Sequence, residues 1–236
     1  MLRNRVLLIA TLSVIVGMTG VIPADASRQS GPPAGRLEAG HGVEHGAPRS
    51  TPCGFIPAVP ADRFKGVPVF DAVLAARPYS ARLLTSQGEI DFSALTGQAP
   101  CTTFSFRYLA ERGYFDLTHC HRLTTQRIYV LQCGDPTGTG SGGPGYSFSD
   151  ENLTGATYPA GTVAMANAGP DTNGSQFFIV WRDTKLSPAY TPFGRVTAGM
   201  GVLRAIAAGG EDDQNASGDG FPTLPVEFLH VSVSPR

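Results

Sequence analysis

A long series of short, strand-like runs between glycine- and proline-rich turns constrains the fold of this chain most strongly. Ser80–Thr85 and Glu89–Leu95 flank Gln87-Gly88 as the two strands of a hairpin flank their turn. Two segments instead repeat apolar residues at helical spacing before a glycine, at Thr102–Arg112 and Ala198–Ala208. Further strands are predicted at Tyr129–Gln132, Gly161–Ala166, Gln176–Trp181, Thr191–Val196 and Val226–Val233. Many short strands with two separated helices favour a mainly β, closed barrel capped by helices over a parallel α/β sheet.

Residues 1–26 have the pattern of an export signal. Arg3 and Arg5 precede the uncharged run Val6–Val16, and Ala24-Asp25-Ala26 fits the small-x-small cleavage site. The pattern predicts a secreted protein that has no membrane contact after cleavage. The alternative is an uncleaved anchor that holds the protein outside the cell, since Val6–Pro23 is nearly long enough to span a bilayer.

Residues 27–79 are predicted to be a linker or N-terminal extension that is partly disordered. Residues 27–62 contain few large apolar side chains and no periodic pattern. The part from Cys53 onward is more apolar and could instead pack against the domain that follows. The compact domain is therefore predicted to occupy residues 80–236.

The overall composition is that of a folded protein without a nucleic-acid footprint. Hydrophobic residues make up 42% of the chain and charged residues 16%, and the formal net charge is −1. These values argue against a disordered chain and against a basic surface for nucleic acid.

The four cysteines leave several interpretations open. Cys53, Cys101, Cys120 and Cys133 could form two disulfides in an oxidising exterior, with three possible pairings. Cys101, Cys120 and Cys133 could instead be buried free thiols. A zinc site built on His119, Cys120 and His121 lacks a second closely spaced ligand pair, so no metal is expected.

A glycine-rich stretch matches a nucleotide-binding pattern only by its letters. Gly138–Gly143 reads GTGSGG, but Pro144-Gly145 follows where a dinucleotide site needs a helix to begin. We interpret the stretch as a flexible surface loop, and no nucleotide cofactor is expected.

Three blocks carry most of the functional information. They are Met165–Phe178 (MANAGPDTNGSQFF), His121-Arg122 followed by Tyr129–Asp135, and Phe193–Val196. In order and approximate spacing they resemble the cyclophilin family of peptidyl-prolyl cis/trans isomerases, over about residues 80–236. The resemblance implies a closed eight-stranded antiparallel β-barrel capped by two α-helices, with a site on its outer face and no cofactor.

The resemblance also implies the residues of the site. Arg122, Gln132 and Tyr129 match catalytic positions. The substrate-binding positions are His121, Val130, Gly140, Ala166, Asn167, Ala168, Gln176, Phe178, Leu186 and Tyr190.

The chain departs from the family pattern in places. Tyr129, Val130 and Tyr190 replace residues that the family usually has, and the loop between Arg122 and Gln132 is two residues longer. The segment between Phe178 and Phe193 is one residue shorter. Lys185 stands where many members have a tryptophan associated with cyclosporin, so weak cyclosporin binding is expected.

These residue types suit rotation about an X–Pro bond. Amide resonance opposes rotation with a barrier of about 18–20 kcal/mol. A fixed guanidinium such as that of Arg122 can donate to the prolyl nitrogen when resonance is lost. The expected partners are proline-containing peptides and unfolded secreted proteins, bound by a monomer. The alternative is a module that binds such peptides as a chaperone or adaptor with little turnover.

Overall fold

The computed structural model describes residues 53–236, so the predictions for residues 1–26 and 27–52 lie outside the described residues. The elements in chain order are β1 (Ile56–Ala61), α1 (Ala72–Ala75), β2 (Tyr79–Thr85), β3 (Gly88–Ala94), α2 (Pro100–Ala110), β4 (Thr118–His119), β5 (Arg122–Thr124), β6 (Val130–Cys133), β7 (Pro144–Ser147), β8 (Thr162–Met165), β9 (Phe177–Val180), β10 (Pro192–Ala198), α3 (Met200–Ala208), β11 (Asp219–Gly220) and β12 (Glu227–Pro235).

One antiparallel sheet dominates the described residues, which confirms the prediction of a mainly β fold. Its strand order is β11-β5-β6-β9-β8-β10-β3-β2-β12-β4. The sheet therefore has ten strands rather than the eight expected, because β4 and β11 each add a pair of residues at its ends. Between β4 and β5, the amide of Cys120 donates to Val226 O (2.9 Å) and that of His121 to Gln132 O (3.1 Å). One short segment thus forms hydrogen bonds to the residue just before β12 on one side and to β6 on the other.

The core lies on the inner face of this sheet and is rich in aromatic rings. Phe106 of α2 contacts Phe115, Phe177 and Phe193 at ring-centroid distances of 5.1, 5.6 and 5.6 Å. All four rings are buried. Such ring pairs add to the free energy gained from burying apolar area, so α2 is fixed firmly over one end of the sheet.

The two predicted helices correspond to α2 and α3, and tertiary contacts or backbone geometry set the residue at which each begins. The first begins at Pro100, two residues before the predicted start, and the carboxylate of Glu151 accepts from the amides of Cys101 (3.0 Å) and Thr102 (2.8 Å). A remote side chain thus supplies the cap that no neighbouring residue provides. The second begins at Met200 rather than at Ala198, because Gly199 has φ +89° and separates it from β10.

Residues 53–79 pack against the sheet domain. The strand β1 pairs antiparallel with β7, and Phe55 lies among the rings of Phe104, Tyr146 and Phe148. A disulfide between Cys53 and Cys101 ties this segment to α2. The described residues of this segment are therefore packed together with residues 80–236.

A second disulfide joins Cys120 and Cys133, so all four cysteines are paired. The free-thiol hypothesis is therefore wrong, because residues 53–236 contain all four cysteines and none of them is free, and the Cys120 sulfur is bonded to that of Cys133. Within those residues, no helix has the length and apolar character needed to cross a membrane.

Candidate active site

Strand register places three predicted site residues in one row across the sheet. Arg122 on β5 is opposite Gln132 on β6, which is opposite Phe178 on β9. Directly opposed residues share a face, whereas their neighbours Leu131 and Ile179 point into the core. Arg122, Gln132 and Phe178 therefore all lie on the outer face, with Arg122 and Phe178 two strand spacings, or about 10 Å, apart.

Phe178 is the centre of a separate apolar cluster on this outer face, which we call the outer apolar cluster. Its ring meets Tyr190 edge-on at 5.6 Å, and the Tyr158 hydroxyl donates to Tyr190 O at 2.9 Å. The members are Val130, Tyr158, Ala164, Phe178 and Val180, with Ile128, Ala156, Ala166, Leu186 and Tyr190 partly exposed around them. The cluster offers a nonpolar surface on the same face as the Arg122 guanidinium.

The guanidinium of Arg122 is held by two partners. Its Nε and Nη2 donate to the two carboxylate oxygens of Asp219 at 2.8 and 2.6 Å, and Nη1 donates to Gln132 Oε1 at 3.3 Å. The bond to Asp219 raises the pKa of Arg122, and the same bond lowers the pKa of Asp219. A paired, bidentate guanidinium keeps both its charge and its orientation.

A chain of side-chain amides continues from Arg122 to the glycine-rich loop. Gln132 Nε2 donates to Gln176 Oε1 at 2.9 Å. Gln176 Nε2 in turn donates to Gly140 O at 2.9 Å and Gly142 O at 3.0 Å. This network fixes the orientation of both amides, so their positions beside Arg122 are set before a ligand binds.

The glycine-rich loop is held in place by Asp135, which corrects the prediction of a flexible surface loop. The buried carboxylate accepts from four backbone N–H groups, those of Thr137, Thr139, Gly140 and Gly142. Burial alone would raise the pKa of Asp135, but these bonds and one from the Thr137 hydroxyl lower it. The loop therefore presents the Gly140 and Gly142 carbonyls to Gln176 from a fixed position.

Two open pockets flank this network. The first, of about 470 Å³, is lined by Gln132, Gly140, Ala166, Asn167, Ala168 and Gln176 together with residues of β1. The second, of about 250 Å³, is lined by His121, Arg122, Gln132, Thr139, Gly140, Asn215 and Phe221. Several of the predicted binding residues thus line one or both pockets, whereas Val130, Phe178, Leu186 and Tyr190 belong to the outer apolar cluster and line neither.

His121 is the most buried polar residue of the predicted site. It is 5% exposed, and neither ring nitrogen has a hydrogen-bond partner within residues 53–236. Removal from water lowers the pKa of His121, although the charge of Asp135 acts in the opposite direction. The His121 ring packs beside Gly140 as a wall of the second pocket.

The structure does not bring Tyr129 into the outer apolar cluster. Its ring contacts Trp181 at 5.2 Å and lies 3.4 Å from the Arg182 guanidinium. Successive side chains of an extended chain point to opposite faces, so Tyr129 points away from the face that carries Val130. Ile128, which was not predicted, packs against the cluster instead.

Sequence reasoning also missed Asp219 and Asn215. Asn215 Nδ2 donates to Asp219 Oδ1 at 3.0 Å, and β11 places Asp219 opposite Thr124, two residues after Arg122. Both residues lie in an acidic loop whose letters match no recognised motif, and the only local signal was an excess of carboxylates.

Taken together, these features define a mainly β protein with an open surface site built around one arginine and an apolar cluster. The sequence of residues 81–233 matches the family described as "Cyclophilin type peptidyl-prolyl cis-trans isomerase/CLD". The chain belongs to this family.

Similar proteins agree with this membership. A Mycobacterium tuberculosis protein described as "Probable peptidyl-prolyl cis-trans isomerase B" is 47% identical over 157 residues, which cover 58% of this chain and 51% of that protein. The chain thus spans about half the length of this relative. A Neurospora crassa "Peptidyl-prolyl cis-trans isomerase-like 1" is 46% identical over 127 residues, which cover 52% of this chain and 77% of that protein.

Solved structures show the same fold. A Cryptosporidium parvum cyclophilin-type isomerase aligns with a TM-score of 0.60 and 28% identity, covering 67% of this chain and 99% of that one. A second structure of the same isomerase, described as in the presence of the dipeptide Ala-Pro, aligns with a TM-score of 0.59 and 29% identity, covering 66% of this chain and 99% of that one.

Proposed function

We propose that the protein accelerates cis/trans rotation about X–Pro bonds in peptides and unfolded proteins. The observation that carries this proposal is the Arg122 guanidinium, held by Asp219 and Gln132 on the same face as the outer apolar cluster. Family membership and the Ala-Pro dipeptide named with the Cryptosporidium parvum structure support the choice of substrate.

The chemistry requires only that the enzyme bind the twisted amide better than the planar one. Rotation breaks the amide resonance and leaves a lone pair on the prolyl nitrogen. Arg122 uses three of its five N–H groups for Asp219 and Gln132, which leaves two to donate to a substrate. The prolyl ring rests on the outer apolar cluster while one of these N–H groups stabilises the nitrogen.

The rest of the peptide is held by the strip that follows β8. Asn167 Nδ2 donates to Ala189 O at 2.8 Å, which fixes the strip Ala166–Ala168 beside the first pocket. Its backbone groups pair with the part of the substrate that precedes the proline, as in other extended-peptide sites.

An isomerase assay on a short X–Pro peptide tests the proposal. Arg122→Ala removes the guanidinium and should lower kcat/KM by about 10²- to 10³-fold, the usual cost of losing a donor to transition-state charge. Arg204→Ala, an exposed position on α3, is the matched control and should behave as the wild type. Equal rates for Arg122→Ala and wild type would contradict the proposed mechanism.

A peptide-binding chaperone or adaptor with little turnover is the second candidate. The open first pocket, which a bound segment could occupy without reaction, favours it. Measurable peptide binding with no acceleration over the uncatalysed rate would select this candidate over the isomerase.

We also propose weak cyclosporin binding with activity retained. Lys185 is exposed and places a charge where related proteins offer an apolar ring. Lys185→Trp should tighten inhibition by cyclosporin at least tenfold in the isomerase assay, with kcat/KM unchanged. Tight inhibition of the wild type would contradict this expectation.

For the molecule as a whole we propose export, either secreted or held outside the membrane by residues 1–26, and a monomeric state. Its physiological substrates would then be unfolded secreted proteins.

We further propose that the eight longer strands close into a barrel through residues 118–124. The hydrogen bonds from the Cys120 amide to Val226 O and from the His121 amide to Gln132 O support closure. Slow hydrogen exchange at both amides would test it.

A further inference from the structure

The first pocket has one wall that lies outside the segment matched to the family. Ala58, Val59 and Pro60 of β1 line it, whereas the family match begins at residue 81. The other walls are the strip Ala166–Ala168 and the glycine-rich loop. A substrate that runs along the strip therefore meets β1 on its other side.

This wall is fixed to the domain at several points. Ile56 and Pro57 pair with Ser147 and Tyr146 of β7. Asp62 N donates to Gly143 O at 2.8 Å, and Gly143 N donates to Asp62 Oδ2 at 3.2 Å. The Cys53–Cys101 disulfide anchors the segment before β1. These contacts therefore hold β1 in place as part of the pocket without a bound ligand.

The chemistry of the wall favours an uncharged ligand side chain. Val59 is 91% exposed at the pocket edge, which leaves its apolar surface free for a ligand. None of the residues that line this pocket in the described part of the chain carries a charge. An apolar or neutral polar side chain would lose less solvation here than a charged one.

We propose that β1 is a specificity wall, on which Val59 and Pro60 contact the substrate N-terminal to its proline and select uncharged side chains there. The inference rests on the proposed isomerase function and deepens it. Because Arg122 lines the second pocket and not the first, the wall selects substrates without taking part in the rotation step.

Charge substitutions at Val59 test for direct contact. The probes are peptides with Lys or Glu at each of the three positions before proline, and isomer exchange and Kd are measured by NMR without a coupled protease. Val59→Asp should favour the Lys peptide over the Glu peptide by about two- to fivefold at one position, the range of an exposed ion pair. Val59→Lys should reverse that preference.

Val73→Asp and Val73→Lys are the matched controls, since Val73 is 69% exposed on α1 and does not line the pocket. A reversal of preference confined to the Val59 variants supports the wall. Equal Lys-to-Glu ratios in wild type and both Val59 variants, in exchange and in Kd, overturn it.

The two proposals fail separately. Peptide binding without accelerated exchange in the wild type would overturn the isomerase function. The ratios of Kd would then still decide the wall, since a reversal at Val59 supports contact and its absence overturns contact.

Discussion

At the residue scale, the position of the Arg122 guanidinium depends on Asp219. Asp219 accepts two of the three hydrogen bonds that Arg122 makes to the protein, and both are short and charge-assisted. Asp219 is thus a positioning residue, because it contacts Arg122 and acts through it. Without it, only Gln132 would orient the guanidinium.

We predict that Asp219→Asn lowers kcat about tenfold and leaves KM nearly unchanged. The amide can accept at one atom only, so the bidentate geometry is lost while the peptide-binding strip remains intact. Steady-state kinetics on an X–Pro peptide measure this split. Glu89→Gln, at an exposed carboxylate of β3 whose ion-pair partner is Arg82 and which lies outside the site, is the control. A change in KM alone would show that Asp219 shapes binding and not the reactive geometry.

The sequence reveals site residues that lie close together along the chain, and it does not reveal those that only the fold brings together. Arg122 and Gln132 lie ten residues apart on adjacent strands, so a local motif contains them both. Asp219 lies 97 residues from Arg122 and reaches it only through the pairing of β11 with β5. Tyr129 lies just before β6 and after the longer loop, and its contacts with Trp181 and Arg182 are not visible in a motif.

At the element scale, the two disulfides support different parts of the site. Cys120 directly precedes His121-Arg122, and Cys133 directly follows Gln132, so this bridge fixes β5 beside β6. Cys53–Cys101 instead holds the start of β1 against α2. The sequence separations of 13 and 48 residues correspond to about 3 and about 4 kcal/mol of loop-closure stabilisation.

Removal of each disulfide by a pair of serine substitutions should therefore have a different effect on kcat. Cys120→Ser with Cys133→Ser should lower both thermal stability and kcat, because the strands that carry Arg122 and Gln132 lose their bridge. Cys53→Ser with Cys101→Ser should lower thermal stability and leave kcat on a short Ala-Pro peptide unchanged. Calorimetry and the isomerase assay on both variants measure this. A loss of kcat in the second pair would contradict the assignment of β1 to binding alone.

The sequence analysis did not predict β1, nor the short elements α1, β4, β5, β7 and β11, and β1 matters most because it lines the first pocket. Its residues read IPAVPA, and five of its six side chains are exposed, so no alternating pattern marks it as a strand. Its two prolines are tolerated because β1 pairs only with β7 in the described residues, which leaves one edge without ladder bonds. Its position is set by tertiary contacts, namely its pairing with β7 and the contacts of Phe55 and Cys53.

At the scale of the whole molecule, the disulfides and the proposed export signal support each other. Disulfides form and persist outside the cytoplasm, and both bridges here stabilise parts of the proposed site. A chain retained in a reducing compartment would keep four thiols and lose the stabilisation that both bridges provide. The proposed export would therefore supply the oxidising conditions in which both bridges, and with them the complete site, can form.

We predict that the full chain, expressed in a host that exports it, has no free thiols, whereas a form that starts at residue 27 and stays in the cytosol has four. Alkylation under denaturing conditions followed by mass spectrometry counts the free thiols. The same spectrum identifies the N-terminal residue. A mature chain that begins at Ser27 would indicate secretion, and an intact chain in the membrane fraction would indicate an anchor. The cytosolic form should melt at a lower temperature until it is oxidised, because only oxidation closes the two loops. Free thiols in the exported protein would contradict the proposal that export allows both disulfides of the site to form.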